Sequence, residues 1–429
     1  MIQFIEPSRT EWPEIITRPV FDQEQLEGWV APILQSVRIN GDWAVKEFTQ
    51  KYDQVKLDEL ELSQEEWETG AAQCKSELQT AIRQAYENIK AFHAKQLAPV
   101  EVVENMPGVQ CWRRSVAIEK VGFYVPGGTA PLFSSVLMLA TPAQLVDCPL
   151  RILCTPPSRD GSIHPAILFA AKLAGVQRIF KVGGAQAIAA MAYGTESVPQ
   201  VYKIAGPGNQ YVTMAKQLVS RTGTTIDMPA GPSEVAVVAD ETCDPDFVAA
   251  DLLSQAEHGV DSQVLCVCTS NNLAEAIQKA TYQQLDELPR KEIAEKALEN
   301  SRMVILEKEK DQLELINAYA PEHLILATKN AEEMAVNIRN AGSVFIGNYT
   351  PESAGDYASG TNHTLPTNGY ARMYSGVSVD TYVKKITFQK ITPEGLQNLG
   401  PTVEIMAAAE GLQAHEKAVS IRLAKIKKA

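Results

Sequence analysis

The sequence predicts an α/β fold with two parallel-sheet domains and small helical pieces at the N- and C-termini. From residue 121 onward, short apolar segments alternate with longer segments of helical periodicity. This alternation is typical of βαβ units, in which a helix connects two parallel strands. The 429 residues are also enough for two or three domains with separate hydrophobic cores.

The first hundred residues favour helices, and the first α/β series follows them. Apolar residues recur at helical spacing through Val30–Val37 and Leu78–His93. The segment Val121–Gly128 then predicts a short strand that ends in a glycine-rich turn. Further strands are predicted at Arg151–Cys154, Arg178–Val182 and Val201–Ile204, and helices at Pro165–Leu173, at Ala185–Ala192 and after Gly206–Asn209.

A second α/β series starts near Val235–Val238. Asp244 and Pro245 fit the N-cap and first position of a helix that we expect to reach His258 and to end at Gly259. Later strands are predicted at Val264–Cys268, Met303–Leu306, Leu324–Ala327 and Val344–Ile346. From about residue 380 the chain predicts a separate tail that ends in a basic helix.

These elements predict four regions along the chain. We expect residues 1–24 to form an N-terminal extension, and residues 25–123 and 234–379 to form a discontinuous first α/β domain. Residues 124–233 are expected to form a second α/β domain inserted into the first, and residues 380–429 the C-terminal tail.

Composition excludes several classes of partner. The net charge of −13 argues against nucleic acid and anionic membrane surfaces, because both require a basic face. No apolar segment is long enough to span a membrane, and the N-terminus lacks the pattern of a signal peptide. Cys266 and Cys268 lie in an apolar run that favours a buried strand over a metal site. We therefore expect a cytoplasmic protein with reduced thiols.

Histidine is rare in this chain, and its placement predicts an enzyme site. Four of the six histidines lie close to other residues that can bind metals or exchange protons: His258 after Gln255, His323 beside Glu322, His363 in Ser353–His363, and His415 after Glu410. Imidazole is a common zinc ligand and a natural general base near neutral pH. The pattern therefore indicates a metal site combined with acid/base chemistry.

Each segment also has a simpler interpretation. Gln255 and His258 have the spacing of one helical turn, which lets two side chains reach one ion, but a polar helix end would look the same. Glu322 and His323 precede an apolar strand, as in an acid/base pair or a plain connector with a surface glutamate. The small-residue segment Ser353–His363, which carries Asp356, predicts a long functional loop without structure of its own.

Two glycine-rich turns, Gly183–Gly184 and Gly206–Asn209, each join a predicted strand to a predicted helix. Such turns can bind the pyrophosphate of a nucleotide at the helix N-terminus. Neither turn has the G-x-G-x-x-G pattern of dinucleotide sites, so a plain tight turn explains them equally well.

Taken together, the segments resemble the histidinol dehydrogenase family, whose members catalyse the last step of histidine biosynthesis. The resemblance extends from about residue 25 to about residue 425. It rests on an ordered set of motifs: VGFYVPGGTAPLFSSVLMLATPA, VGGAQAIAAMAYGTESVP, GPGN, IDMPAGPSEV, DLLSQAEHG, PEHL, ESAGDYASGTNH and AAAE…AH.

The resemblance implies two cofactors and a set of site residues. One zinc ion per subunit would be bound by Gln255, His258, Asp356 and His415, and Glu322 and His323 would be the catalytic acid/base pair. Contacts to the substrate L-histidinol are implied for Ser233, Gln255, His258, His323, Asp356, His363, Glu410 and His415. Contacts to NAD are implied for Tyr124, Gln186 and Asn209.

The resemblance also implies a fold and an assembly. Both α/β domains would be incomplete Rossmann-like folds, and the protein would be a homodimer whose C-terminal tail reaches the partner's site. On one continuous helix, Glu410 and His415 would lie about 140° apart, because each residue turns ~100°. Both can face one site only if the helix breaks, and Gly411 predicts that break.

The implied reaction is a four-electron oxidation of L-histidinol through bound L-histidinal, with two NAD molecules reduced in turn. A shell of Gln, Asp and His ligands is harder than a thiolate cage and leaves positions open for substrate. Two other functions fit part of the pattern: a zinc hydrolase in which Glu322 activates water, and a non-catalytic nucleotide-binding protein. Neither of them needs both the glycine-rich turns and the metal and acid/base residues.

Overall fold

The computed structural model describes residues 1–19, 22–127 and 130–427, which fall into two units. The larger unit comprises Met1–Gln96 and Ile118–Tyr382, and the smaller unit comprises Leu97–Ala117 and Val383–Ala429. Gly128, the last residue of the turn predicted at the end of Val121–Gly128, lies outside the described residues. None of the described helices is long and apolar enough to cross a membrane.

The described strands and helices alternate through most of the chain. The strands are β1 (Ile2–Ile5), β2 (Val102–Met106), β3 (Val109–Ala117), β4 (Lys120–Tyr124), β5 (Leu150–Thr155), β6 (Arg178–Lys181), β7 (Lys203–Ala205), β8 (Thr225–Ile226), β9 (Glu234–Ala239), β10 (Gln263–Cys268), β11 (Arg302–Ile305), β12 (His323–Ala327), β13 (Ser343–Ile346) and β14 (Val383–Ile391). The helices are α1 (Trp12–Ile15), α2 (Gln23–Tyr52), α3 (Gln64–Ala72), α4 (Ser76–Ala94), α5 (Phe133–Leu145), α6 (Pro165–Leu173), α7 (Gly184–Tyr193), α8 (Gln210–Ser220), α9 (Pro245–Ala256), α10 (Asn271–Leu285), α11 (Lys291–Glu299), α12 (Glu309–Tyr319), α13 (Ala331–Ala335), α14 (Glu352–Tyr357), α15 (Pro393–Ala409) and α16 (Gln413–Ile426).

The first sheet of the larger unit has six parallel strands in the order β1-β11-β10-β9-β12-β13. Side chains from α9, α10 and α11 pack on one face, and side chains from α1, α12 and α13 pack on the other. Because both faces are covered, the central strands β9, β10 and β12 are buried at every position. Cys266 and Cys268 are accordingly buried strand residues, as predicted.

The second sheet has five parallel strands in the order β6-β5-β4-β7-β8. From β4 the chain proceeds to β5 and β6 on one side and then crosses to β7 on the other. The strand order therefore reverses beside β4, and ligands of such sheets bind at the carboxyl ends of the strands at this point. The turns Gly183–Gly184 and Gly206–Asn209 both lie at this edge, since the first follows β6 and the second follows β7.

Helices α2, α3 and α4 pack on the helices of the second sheet. The prediction instead places residues 25–123 in one domain with residues 234–379. Leu26, Val30, Leu34 and Val37 of α2 join the core formed by α7 and α8. The alanine-rich surface of α7 permits this close approach. The predicted N-terminal extension also differs from expectation, because its residues Ile2–Ile5 form the edge strand β1 of the first sheet.

The smaller unit contains a three-stranded antiparallel sheet in the order β14-β3-β2, which the prediction of a helical tail missed. Pro107 and Gly108 form the tight turn between β2 and β3. The paired helices α15 and α16 complete the unit. Gly411 separates them with a left-handed φ of +72°, which confirms the predicted helix break.

Two local predictions around the site were wrong. Asp244 and Pro245 do begin α9, but that helix ends at Ala256, so His258 follows the helix and Gly259 does not terminate it. The segment Ser353–His363 is not a structureless loop, because α14 occupies its first part. Short helices of this kind lack the length that makes helical periodicity visible in a sequence.

Candidate active site

Glu322 and His323 lie at the amino end of β12, beside the first residue of β9. They follow α12, whose C-cap residue Ala320 has a left-handed main chain with a φ of +54°. Pro321 then leads the chain into the strand. The main chain of Glu322 and His323 is therefore positioned by α12 before it and by β12 after it. Both residues are buried, with 7% of Glu322 and 3% of His323 exposed.

The main chain of Glu234 holds this pair. Its amide donates a hydrogen bond of 2.9 Å to Oε2 of Glu322. Its carbonyl oxygen lies 3.3 Å from Nδ1 of His323, in hydrogen-bonding geometry. One peptide segment therefore fixes both members of the pair, and the contact with the carbonyl favours the tautomer with hydrogen on Nδ1. Nε2 of His323 is buried without a hydrogen-bond partner, so it is the ring atom left for chemistry.

The side chain of Glu234 is held in turn by Arg18. The guanidinium makes two hydrogen bonds to the carboxylate, of 2.6 and 2.8 Å. It also donates to the carbonyl oxygen of Tyr319 at 2.7 Å and stacks over the Tyr319 ring at 4.0 Å. The amide of Asn368 donates to the same carboxylate at 2.6 Å. This buried bidentate pair links the N-terminal segment to the predicted acid/base residues, and no local sequence pattern indicates it.

Three carboxylates surround His323. Oε1 of Glu352 lies 3.4 Å from Nδ1, Oδ1 of Asp356 lies 3.3 Å from Nε2, and Oε2 of Glu322 lies 3.8 Å from Nδ1. Glu352 is almost fully buried in the first turn of α14 and was not predicted as a site residue. Its position one helical turn before Asp356 was the available signal, but finding it required knowing that α14 exists.

These charges set the protonation of the pair. Burial raises the pKa of Glu322 to about 8. Burial disfavours the charged form of His323, but the carboxylates, Glu352 first, outweigh that effect and raise its pKa to about 10. Burial also raises the pKa of Glu352. For Asp356 the opposing effect of burial is exceeded by the close contact with His323 and the charge of that ring, so the pKa of Asp356 is lowered.

The predicted metal ligands Gln255, His258 and Asp356 provide donors suited to a cation. Nε2 of Gln255 lies 3.3 Å from Nδ1 of His258. Oε1 of Gln255 and Oδ1 of Asp356 are both buried without a hydrogen-bond partner. Burial of an oxygen without a hydrogen-bond partner destabilises the folded chain unless a ligand or ion binds to that oxygen. His258 is exposed as a whole residue, but protein atoms around its ring displace part of the surrounding water. This desolvation lowers the pKa of His258 and favours the neutral form that binds metals.

Atoms of His323, Glu352 and Asp356 also lie within 4.8 Å of one another, close enough to hold a cation. Asp356 therefore belongs both to the predicted ligand set and to this buried group. An arrangement of oxygen and nitrogen donors, without thiolate, fits zinc in a catalytic rather than a structural site.

The remaining predicted substrate residues have different surroundings. Both ring nitrogens of His363 have partners, because Nδ1 contacts the carbonyl oxygen of Asp356 at 2.7 Å and Nε2 contacts Oγ of Ser135 at 3.0 Å. Ser233 is half-buried immediately before Glu234. Glu410 and His415 belong to the smaller unit, where both are exposed at the break between α15 and α16.

The predicted cofactor residues lie at the carboxyl edge of the second sheet. The hydroxyl of Tyr124 accepts a hydrogen bond of 3.0 Å from the amide of Gly184, at the start of α7. Gln186 is buried in the first turn of α7, with Nε2 unpaired. Oδ1 of Asn209 caps α8 by accepting from the amides of Tyr211 and Val212. These groups surround two helix N-termini that can receive phosphate groups.

A buried ion pair fixes the second glycine-rich turn. Nζ of Lys216 lies 2.5 Å from Oδ1 of Asp227, and it donates to the carbonyl oxygen of Gly206 at 2.8 Å. Oδ2 of Asp227 accepts from the amide of Gly206 at 2.8 Å. A β-carbon at Gly206 would lie 2.0 Å from the carbonyl oxygen of Tyr124, so this turn requires glycine. No local sequence pattern indicates this ion pair, because Lys216 lies on α8 and Asp227 follows β8.

A cavity lies between the start of α8, beside the second sheet, and the segment that precedes β9 of the first sheet. It has a volume of about 110 Å³ and is lined by Asn209 at the start of α8 and by Gly231 and Pro232, which precede Ser233. Asn368, whose amide binds Glu234, also lines it. Asn209 of the second glycine-rich turn therefore faces the segment before Glu234, whose main chain contacts Glu322 and His323.

Comparisons with known proteins agree over nearly the whole chain. Residues 16–423 match the family model described as histidinol dehydrogenase. Histidinol dehydrogenase of Bacteroides thetaiotaomicron is 57% identical over 421 residues, covering 98% of each chain. The chloroplastic histidinol dehydrogenase of Arabidopsis thaliana is 52% identical, covering 97% of this chain and 90% of the relative. The crystal structure of histidinol dehydrogenase from Elizabethkingia anophelis superimposes with a TM-score of 0.97 at 51% identity, covering 100% and 99% of the two chains. The chain belongs to the histidinol dehydrogenase family.

Proposed function

We propose that this protein is an NAD-dependent, zinc-containing L-histidinol dehydrogenase that performs the last step of histidine biosynthesis. The observation that carries the proposal is the buried pair of Glu322 and His323, with the unpaired Oδ1 of Asp356 3.3 Å from His323, together with the unpaired Oε1 of Gln255, a residue that contacts His258. A proton-transferring pair next to unsatisfied metal-type donors suits oxidation of an alcohol that is held by a metal.

The proposed reaction converts a primary alcohol to a carboxylate. One alcohol, two NAD⁺ and one water give one carboxylate, two NADH and three protons. The first oxidation removes a hydride from carbon and a proton from the hydroxyl. Water then adds to the aldehyde, and the second oxidation removes a further hydride. Retaining the aldehyde in the site prevents its loss and its side reactions.

Gln255, His258 and Asp356 would hold zinc, with His415 as a further ligand. Two buried oxygens without partners and one imidazole of lowered pKa fit a divalent cation of this type. When bound, zinc would orient the substrate, and its charge would favour neutral imidazole at His323. Ser233, His363 and Glu410 would contribute further contacts to the substrate.

His323 would move the hydroxyl proton at Nε2. Its Nδ1 is directed at the carbonyl oxygen of Glu234 and lies near Glu352, which leaves Nε2 facing Asp356 as the available base. Glu322 would activate water in the second half-reaction. Because burial raises the pKa of Glu322 to about 8, its carboxylate is a stronger base than an exposed glutamate.

Tyr124, Gln186 and Asn209 would hold NAD, which accepts the hydride in each oxidation. The unpaired Nε2 of Gln186 and the helix N-termini of α7 and α8 fit a dinucleotide at the point where the strand order reverses. Neither of the turns Gly183–Gly184 and Gly206–Asn209 has the fingerprint glycines, so side chains rather than the usual glycine motif would supply much of the binding.

The direct test is an NADH assay on the chelated and zinc-restored protein. Addition of L-histidinol and NAD to the zinc-restored protein should form two NADH for each alcohol consumed, with L-histidine as product. The chelated protein should form almost none. A ratio of one NADH for each alcohol, or no NADH at all, would refute the proposed function, and a hydrolase would give the second result.

Removing a proposed metal ligand should abolish zinc binding. In Asp356→Ala, zinc affinity should fall by at least about 100-fold, because a charged ligand is lost, and activity should fall with it. Competition with a chromogenic chelator measures the affinity. Glu257→Gln, which removes a carboxylate beside His258 at a half-exposed position, is the matched control and should keep wild-type affinity. Full zinc binding in Asp356→Ala would refute the ligand assignment.

Glu322→Gln should separate the two half-reactions. Supplied with L-histidinal, this variant should lose about 100-fold or more in kcat, because Gln cannot accept the proton from water. Oxidation of L-histidinol to the aldehyde, measured in a single turnover, should lose less than tenfold.

The pH dependence of the same step provides a second readout. The wild-type rate on L-histidinal should rise as pH increases through about 8, because only the deprotonated carboxylate of Glu322 activates water. In Glu322→Gln this rise should disappear. Equal losses in both half-reactions, or an unchanged pH profile, would refute the role given to Glu322.

We further propose a homodimer in the cytoplasm whose sites receive Glu410 and His415 from the second subunit. The seven free cysteines support a reducing compartment. The support for sharing is the break at Gly411, which frees these two exposed side chains from a single helical face.

Complementation tests the sharing of residues between subunits. His258→Ala and His415→Ala should each be inactive alone. In a mixed dimer, one site would collect both changes and the other neither, so purified, differently tagged heterodimers should regain up to about half of wild-type activity per dimer. Heterodimers as inactive as the two parents would show that each tail serves its own subunit.

A further inference from the structure

Strand β5, the second strand in chain order of the second sheet, has no carboxylate at its carboxyl end. In doubly wound sheets that bind NAD, an acidic residue about twenty positions after the glycine-rich turn hydrogen-bonds the adenosine ribose. Here β5 ends at Thr155 and is followed by Pro156 and Pro157. The strand therefore offers no side chain that could accept hydrogen bonds as an anion at this position.

A carboxylate reaches this position from a different element. Asp53 caps the C-terminus of α2. The chain beyond it runs antiparallel to β6, where Leu60 accepts from the amide of Lys181 and the amide of Leu62 donates to Ile179, both at 2.8 Å. Following the chain back from Leu60 leads toward the carboxyl end of β6. The antiparallel pairing thus delivers Asp53 to the edge at which ligands bind.

Contacts place Asp53 over the first glycine-rich turn. A β-carbon on Gly183 would lie 3.4 Å from Oδ1 of Asp53 and 2.6 Å from Cβ of Pro156. The next residue, Gly184, donates its amide to the hydroxyl of Tyr124. The Asp53 carboxylate, the end of β5 and the proposed cofactor residue Tyr124 therefore surround one turn.

The charged form of Asp53 is energetically unfavourable when no dinucleotide is bound. Its Oδ2 is buried without a hydrogen-bond partner. Burial raises the pKa of Asp53 to about 6. A negative charge at a helix C-terminus also opposes the helix dipole. The capping hydrogen bond to Thr49 comes from the amide of Asp53, so the helix end does not need this side chain.

We propose that Asp53 selects NAD over NADP, by accepting hydrogen bonds from the hydroxyls of the adenosine ribose and by repelling a 2′-phosphate. This inference rests on the proposed NAD-dependent function. It explains how a sheet without an acidic residue at the end of its second strand can still distinguish the two dinucleotides. It also explains why an unsatisfied carboxylate stands beside a glycine turn.

The test compares binding of NADH and NADPH to Asp53→Asn in the absence of substrate. Fluorescence titration should show wild-type protein binding NADH more tightly than NADPH. In Asp53→Asn the Kd for NADH should rise about tenfold or more, because hydrogen bonds to a charged acceptor are lost. The Kd for NADPH should fall or stay constant, so the preference for NADH should decrease by at least about tenfold.

Thermal unfolding of the same variant provides an independent readout. Above pH 6 the wild-type carboxylate is charged in the folded chain at a cost, because the folded pKa exceeds the unfolded one. Asp53→Asn removes that cost, so its Tm at pH 8 should exceed the wild-type value. The difference should shrink as pH falls from about 6 to below about 4. Asp58→Asn, a change at an exposed aspartate five positions along, should alter neither Kd nor Tm.

The outcomes separate this inference from the proposed function. If wild-type protein oxidises L-histidinol with NAD but Asp53→Asn keeps the wild-type preference for NADH, only the role of Asp53 is overturned. An equal loss of affinity for both dinucleotides, or a lower Tm in Asp53→Asn, overturns it as well. Wild-type protein that binds neither NADH nor NADPH would overturn both proposals.

Discussion

The candidate active site depends on the way Glu234 is fixed at the start of β9. Its carboxylate is held by a buried fork of hydrogen bonds from Arg18, and its main chain holds Glu322 and His323. The Arg18 and Glu234 side chains are only 9% and 2% exposed, so removing one partner would leave an uncompensated buried charge, at a cost of about 3–5 kcal/mol. A residue near the N-terminus thereby sets the position of two residues more than 300 positions later.

The first sheet would support the proposed metal and acid/base chemistry, and the second sheet would support the proposed binding of NAD. The proposed metal and acid/base residues gather around the amino ends of β9 and β12, whereas the proposed cofactor residues lie at the carboxyl edge of the second sheet. The second arrangement follows the general rule for parallel sheets, and the first does not. The first sheet uses its central strands as rigid supports, so buried carboxylates can be kept close to one imidazole. Such crowding is costly for folding, and it produces the shifted pKa values that acid/base chemistry requires.

Sequence patterns predicted the elements whose signals are local. Helix α6 was predicted to the residue from its proline start and apolar spacing, and the break at Gly411 followed from helical geometry. Long-range partners left no such signal. Arg18 and Glu234 are 216 positions apart, and nothing local to either indicates their pairing. Glu352 was missed because its short helix α14 resembles a loop in the sequence. The packing of α2 on the second sheet was also hidden, since an apolar helical face does not indicate which surface it covers.

Arg18 would position the proposed acid/base pair through Glu234, and the kinetics of Arg18→Lys test this role most directly. Lysine keeps the charge but cannot form the bidentate fork. We expect kcat on L-histidinol to fall about tenfold to 100-fold, while zinc content and the Kd for NADH stay at wild-type values. Arg9→Lys, at a half-exposed arginine of the same segment, should behave as wild type. A kcat for Arg18→Lys within twofold of wild type would contradict the account.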